Sequence, residues 1–364
     1  MLTEALAPYM VWAKTRTPAQ FDLAGSNLWP CALDDLPGIG DALQLTAPND
    51  NGYAPLREAI AAHVGVPADR IVNATGCSGA NFLTIAALVG SGDEVIMERP
   101  GYDPLAGACR LMGARVRTFE RRSARRYAID LDEVRSLLSI RTRLIIVTSP
   151  HNPSGMSISH ETLTALSDLA ASAGAHLLVD EVYLDAVNLA AGPHAEHASA
   201  AQVTGPVIAT SSLTKSFGLA GLRCGWVVAP PTLVTRLWRV RDLVEVAGSA
   251  AADRLSAFAF SQMSRLRERT RVILTANLEL ARGFAAAHTQ LVLPAPPSAP
   301  VIFPELTGVA SVDAFVRRLA EQYDVAVAPG RFFDSPNHFR ISLAGPTATL
   351  AEGLSRITTA LQES

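Results

Sequence analysis

The chain has 364 residues, 49% hydrophobic and 18% charged, with 34 acids against 31 bases and a formal net charge of −3. That balance suits a globular chain with a large core, and it offers no global basic field to draw in nucleic acid or an anionic membrane. The opening MLTEALAPYMVWAK reads as neither a secretory signal nor a transit peptide, and no uncharged apolar run is long enough for a membrane span.

Cys31, Cys77, Cys109 and Cys224 lie too far apart for a zinc or disulfide framework, so a reduced cytoplasm is the expected setting. Only two of the cationic residues, Lys14 and Lys215, are lysines.

At about 150 residues per domain, the length predicts two domains or one large α/β unit with an appendage. Between about residues 55 and 230, short apolar runs alternate with helical patterns, which predicts βα units around a mostly parallel sheet. Strands are expected at 94–97, 143–149, 176–180, 207–211 and 224–229, and helices at 78–89, 104–112 and 161–173. Runs such as LIIV and HLLVD have the continuous apolar character of strands buried on both faces. From Pro231 to Ala287 the helical periodicity predicts one long helix or two in series. A proline-rich stretch, Leu293–Pro300, then gives way to a helix over 312–322, short strands around 325–328 and 339–343, and a last helix near 347–361. This is the pattern of a second, smaller α/β module, which the first 40 or so residues are expected to join.

Ligands of an open parallel sheet bind at the carboxyl ends of its strands, so the polar residues ending each run matter most. LIIVTSP runs into His151-Asn152-Pro153-Ser154-Gly155, HLLVD ends in Asp180-Glu181-Val182-Tyr183, and VIATSS leads to Leu213-Thr214-Lys215-Ser216-Phe217-Gly218. Lys215 is the centre of this pattern. A lysine desolvated after a buried strand has a depressed pKa and can attack a carbonyl, which an arginine cannot do. A chain that otherwise uses arginine keeps lysine where the amine itself is needed; Lys14 has no assignable role of this kind. Asp180 at a strand end needs a cationic partner, such as a protonated pyridine nitrogen, unless it serves as a helix cap. Tyr183 could donate a phenol hydrogen bond to the same ligand, and Asn152 offers an amide from a rigid turn. Ser212 and Arg223 bracket Lys215 with a hydroxyl and a guanidinium fork suited to phosphate, and Gly76-Cys77-Ser78 opens a helix whose free N–H groups could share it. Tyr102, after another strand, could stack on a ring. Together these residues specify a phosphorylated pyridine aldehyde bound through Lys215.

With those motifs in order, the sequence resembles the pyridoxal-phosphate enzymes of the aspartate aminotransferase fold, the class I/II aminotransferases (fold type I). The resemblance runs from NGYAPLREAIA (Asn51–Ala61) through PHNPSG, DEVY and SLTKSFGLAGLRCGW to FRISLA (Phe339–Ala344). It implies a large domain with a mostly parallel sheet flanked by helices, residues 45–245, which binds pyridoxal 5'-phosphate. Residues 246–364 would supply an interdomain helix and the smaller α/β domain, joined by the N-terminal segment 1–44. It further implies that Lys215 forms the internal aldimine and moves the proton, with Asp180 on the pyridine nitrogen and Tyr183 and Asn152 on the 3' oxygen. Ser212, Arg223, Cys77, Ser78 and Thr214 would surround the phosphate, Tyr102 would stack on the ring, and Arg340 would grip the substrate carboxylate, with Asn152 beside it. Tyr53 would reach the neighbouring subunit's phosphate, so a homodimer is expected.

Two departures fall where side-chain specificity is set. DLAGSNLWP (Asp22–Pro30), with Ser26 as a candidate substrate contact, replaces the usual glycine-rich segment, and Leu293–Pro304 is rich in proline. No second arginine is assignable to a distal carboxylate. The expected activity is transfer of an amino group from an amino acid to a 2-oxo acid; a lyase, decarboxylase or cyclase of amino-acid-derived biosynthesis would use the same residues. A pyridoxal-dependent regulator is disfavoured because no helix-turn-helix pattern precedes residue 50. The histidines show no metal spacing, His151 reads as turn scaffold, and the six arginines of Arg115–Arg126 read as a solvated strand edge.

Overall fold

The structure is a computed structural model and describes residues 7–49, 51–192 and 197–363. Its centre is a seven-stranded sheet of β1 (Ile71–Thr75), β2 (Glu94–Arg99), β3 (Arg115–Glu120), β4 (Thr142–Thr148), β5 (His176–Asp180), β6 (Val207–Ser212) and β7 (Cys224–Val228). The spatial order is β1-β7-β6-β5-β4-β2-β3. Strands β3, β2, β4, β5 and β6 pair in parallel, and β7 runs antiparallel to both its neighbours.

The continuous apolar runs have a direct cause. Ile145, Val147, Leu177 and Val179 enter one core cluster, while Leu144, Ile146, Leu178 and Ile208 enter another across the sheet. Successive strand residues point to opposite faces, so a strand covered on both sides must be apolar at every position. Helix Gly76–Leu88 has eight buried residues, Thr84 and Asn81 among them, which fits a helix wedged into the core more than an amphipathic surface helix.

Helix Met263–Ala287 leads to a smaller module. There Phe339–Ser342 pairs antiparallel with Val301–Ile302 on one side and Ala328–Pro329 on the other. Helices Val312–Gln322 and Thr347–Gln362 contribute Phe315, Leu319, Leu350 and Ile357 to its core. Phe21–Asp22 pairs in parallel with Val325–Ala326, and further along the same segment the Leu28 N–H donates to the Lys215 carbonyl at 3.0 Å.

Three expectations change. The stretch 231–287 is three helices, Pro231–Val244, Ala250–Ser261 and Met263–Ala287, rather than one or two. The first break spans residues 245–249, with Val246 at φ +57° and Gly248 so close that an added Cβ would sit 2.1 Å from Arg241 Nη2, and Ser249 caps the next helix through its hydroxyl. Gly283 lies inside the last helix without interrupting it. Strand β1 was not anticipated, although its IVNAT run is apolar at the start. The arginine-rich edge is not uniformly solvated: Arg121 is buried and its Nη1 meets Glu98 Oε2 at 2.7 Å.

That pair holds the loop after β4. The Thr148 N–H and hydroxyl both donate to Glu98, and the Asn152 N–H donates to the Thr148 hydroxyl at 2.9 Å. Breaking a buried pair leaves one charge uncompensated, so Arg121→Leu is expected to cost about 3–5 kcal/mol in denaturant unfolding. Adding Glu98→Gln to that variant should restore part of the loss; a further drop would show that the charge on Glu98 is not what destabilises the single variant.

Candidate active site

The carboxyl edge of the sheet collects its polar ends by register. Thr148 stands beside Asp180 across β4 and β5, and Asp180 beside Thr210 across β5 and β6. Above this edge lies a cavity of about 320 Å³. Ser26, Cys77, Ser78, Tyr102, Asn152, Asp180, Ser212, Thr214, Lys215 and Arg223, all singled out from the sequence, line it. A larger hollow of about 660 Å³ near His63, Asp185 and Arg267 contains none of them.

Lys215 lies in the short helix Leu213–Phe217, whose first turn is capped by the Ser212 hydroxyl accepting the Thr214 N–H. Gly218 ends it at φ +72°, where a Cβ would meet the Trp29 carbonyl at 2.3 Å. The Lys215 amine donates to Ser26 Oγ at 2.8 Å. Burial, with the nearby Arg340 charge second, pulls its pKa down from 10.5 to about 8, against the opposing pull of Asp180.

Among the described residues, Asp180 has no cation as hydrogen-bond partner. Asn81 Nδ2 donates to it at 2.7 Å, the Val182 N–H at 3.1 Å, and Cys77 Sγ lies at 3.4 Å. Asn81 is itself oriented by the Thr210 hydroxyl at 2.6 Å. Burial dominates and raises the Asp180 pKa; it pushes Cys77 well up, with the Asp180 charge adding to it.

Arg340, 1% exposed, is the reverse case. Its donors reach only uncharged oxygens: Asn152 Oδ1 at 2.8 Å, the Tyr9 hydroxyl at 2.7 Å and the Ala24 carbonyl at 3.1 Å. The guanidinium lies 5.0 Å from the Phe333 ring centroid and 5.3 Å from that of Tyr9. Its Nε is buried without a partner. Tyr183 is fully buried with its phenol facing Ser26, and burial raises its pKa. Tyr53 does not line this cavity; its ring lies under the Arg254 guanidinium at 4.3 Å.

One end of the cavity is shaped for an anion. Gly76 at φ +72° admits the Arg223 Nη2, which a Cβ would meet at 2.4 Å, and Gly225 lets its strand approach the Gly76 backbone. The N-terminus of helix Gly76–Leu88, the Ser78 and Ser212 hydroxyls and the unpartnered, buried Thr214 Oγ1 surround that end. His151 is scaffold, as expected: its ring bonds the Pro100 carbonyl at 2.8 Å and burial holds it neutral.

Asn81, Thr148 and Tyr9 escaped the sequence reading. The first sits one helical turn beyond Cys77, a spacing that could have flagged it; Tyr9 lies in a segment read only for targeting, and nothing local marks it.

The class I and II aminotransferase family model matches residues 34–357. The chain belongs to the class I and II aminotransferases. It is an enzyme, a pyridoxal-phosphate-dependent transaminase, and its cofactor is pyridoxal 5'-phosphate. It is 33% identical over 370 residues to capreomycidine synthase of Streptomyces vinaceus, covering 96% of this chain and 92% of that one. It is 30% identical over 307 residues to the arginine–pyruvate transaminase AruH of Pseudomonas aeruginosa, covering 80% and 75%. A pyridoxal-phosphate-dependent aminotransferase from Streptococcus suis shares the fold, with a TM-score of 0.90 at 24% identity over 98% of this chain and 97% of that one. The pyridoxal-phosphate-dependent cyclase OrfR matches with a TM-score of 0.83 at 27% identity over 97% and 96%.

The residues present suit the cofactor. Its ring nitrogen would answer the carboxylate that lacks a cation, and its phosphate the cradle at Gly76 and Thr214. The depressed amine also has a stability consequence. The unfolded chain binds the Lys215 proton more tightly than the folded one, so this lysine costs stability at neutral pH, a cost relieved as pH rises from about 8 to 10.5. Lys215→Met should therefore stabilise the cofactor-free chain at pH 7 by roughly 2–3 kcal/mol, and the gain should shrink over that window. Denaturant midpoints across the pH range test this; a pH-independent difference would contradict it.

Proposed function

We propose that this enzyme moves an amino group from an amino acid to a 2-oxo acid, with Lys215 holding the cofactor and carrying the proton. One observation carries the reading: a buried amine, a buried carboxylate without a cationic hydrogen-bond partner and a buried guanidinium bonded only to neutral oxygens converge on one cavity. Asp180 and Lys215 attract each other, yet among the described residues none of the three is hydrogen-bonded to another, and a ligand with a pyridine nitrogen and a substrate with a carboxylate complement them.

The bound cofactor supplies a conjugated ring that accepts the electron pair left when a bond to the substrate's α-carbon breaks. The chain's own residues do the rest. Asp180, oriented by Asn81, would keep the ring nitrogen protonated, and Asn152 and Tyr183 would hydrogen-bond the ring's oxygen substituent. Ser212, Thr214, Arg223, Ser78 and the amide of Cys77 would hold the phosphate, and Tyr102 would lie against the ring. Arg340 would trade neutral partners for the substrate carboxylate, fixing the α-carbon near Lys215 Nζ, which takes its proton and returns it. Tyr53, which does not line its own cavity, would complete the partner's site in a homodimer. The chain would act in the cytoplasm; no helix among the described residues is long and apolar enough to cross a membrane.

A second reading has its own support. The likeness to capreomycidine synthase spans nearly the whole chain, and a cyclase is among the structural neighbours. Elimination and ring closure would draw on the same Lys215, Asp180 and Arg340.

Purified enzyme with cofactor should show a visible absorption band, covalently attached in the wild type and lost as an adduct in Lys215→Ala; a colourless reconstituted wild type would sink the assignment. In single turnovers, preferred amino acids should bleach that band and release the matching 2-oxo acid. Substrates that instead yield water, ammonia or carbon dioxide without the oxo acid would establish the second reading. For the dimer, mixing Tyr53→Ala chains with Lys215→Ala chains should yield activity above either alone, because one hybrid site carries neither change; no gain from a mixture shown to form hybrids would refute the shared site.

A further inference from the structure

Ser26 is 5% exposed and accepts an N–H from Lys215 Nζ at 2.8 Å. The strap that carries it is pinned on both sides. The Ala24 carbonyl accepts from Arg340 at 3.1 Å; the Leu28 N–H donates to the backbone carbonyl of Lys215 at 3.0 Å, and the Trp29 N–H to Ala344 at 2.7 Å. A hydroxyl fixed in this way is tied to the lysine more firmly than any mobile substrate could be.

A neutral amine has a single lone pair, and rotation about its Cε–Nζ bond sweeps that pair through space. Donating one N–H to a fixed oxygen stops the rotation and aims the pair. We propose that Ser26 is a positioning residue for proton transfer, its Oγ holding one N–H of Lys215 so that the amine's lone pair faces the substrate's α-carbon. This rests on the reading of Lys215 given above. In the step, the lone pair takes the α-proton, the bonding electrons stay with the carbon side, and the nitrogen becomes an ammonium with one of its N–H groups still on Ser26. On return the ammonium gives a proton back. Ser26 neither gains nor loses one, so its part is geometric.

The charged and titratable groups around the amine are Asp180, Cys77, Arg340 and Arg223, with the Tyr183 phenol beside Ser26. Among the described residues, only Ser26 is hydrogen-bonded to the amine itself. The sequence assigns Ser26 to substrate contact, and the two roles separate kinetically: a substrate contact acts on KM, a lysine-aiming contact on kcat.

Ser26→Ala and Ser26→Thr test the idea. In Ser26→Ala, kcat should fall about tenfold to a hundredfold with KM nearly unchanged, and the isotope effect for α-deuterated substrate should rise. Ser26→Thr, which keeps the oxygen, should recover much of the rate. A readout free of turnover uses the lysine count: with only Lys14 and Lys215 present, acylation of the cofactor-free chain by a small anhydride follows Lys215 against Lys14 as internal reference. Removing the acceptor should lower the pH of half-maximal Lys215 labelling by about one pH unit, since the hydrogen bond favours the ammonium. Unchanged labelling and kcat, or a raised KM at constant kcat, would overturn the proposal. Absence of the visible cofactor band in both wild type and variant would instead strike the Lys215 assignment, so the two failures are distinguishable. Thermal midpoints of the variants identify any loss due to unfolding, and the threonine variant decides the matter if the alanine variant does not fold.

Discussion

Uncompensated charge at the carboxyl edge of the sheet is what the rest of this structure answers to. Arg340 is stripped of water yet bonded to an amide, a phenol and a carbonyl, and Asp180 is buried against an amide, a backbone N–H and a thiol. Neutral dipoles repay only part of the solvation each charge loses. The remainder is stored in the folded chain and released on binding a ligand of opposite charge. A site built this way binds through electrostatics already in place, which is the arrangement that speeds reactions developing charge.

Holding those charges apart requires rigid supports, and the sheet supplies them. Parallel register places Thr148, Asp180 and Thr210 side by side, so each strand delivers one polar group to the same edge. Behind the edge, Glu98 and Arg121 pair under the loop that carries Asn152, and Asn152 in turn accepts from Arg340. A chain of contacts thus joins the far strands of the sheet to an arginine of the small module. Asn152 cannot shift without disturbing both Thr148 and Arg340, which lie on either side of it.

Much of this was legible in the sequence because each strand end is local. The residues after LIIV, HLLVD and VIATSS could be read as site residues without knowing the register, since the carboxyl ends of parallel strands converge whatever their order. The supports were not legible for the opposite reason. Glu98 meets Arg121 and Thr148 across three strands, and Tyr9 meets Arg340 across 331 residues of chain, so no local pattern marks either. Arg121 misled because five arginines around it do make a charged strand edge, and burial of one depends on Glu98 rather than on its neighbours. The helical stretch misled because its periodicity continues across residues 245–249, where the backbone turns away at Val246 (φ +57°) and Gly248 packs against Arg241.

The choice between amino transfer and its chemical alternatives lies outside the residues these enzymes share. In the proposed mechanism, Lys215, Asp180 and Arg340 would develop charge at the α-carbon whichever product follows. What differs is which bonds of the substrate lie aligned with the ring and where the lysine returns its proton. In this chain one strap touches the residues proposed for both: Ala24 touches Arg340, Ser26 touches the Lys215 amine, and Leu28 bonds that lysine's backbone. Segment Asp22–Pro30 is also where the sequence departs from the family's usual glycine-rich pattern. A segment that contacts Arg340 and the Lys215 amine two residues apart would couple substrate placement to proton delivery in the proposed mechanism, so a change of reaction could arise in the strap without a change in Lys215, Asp180 or Arg340.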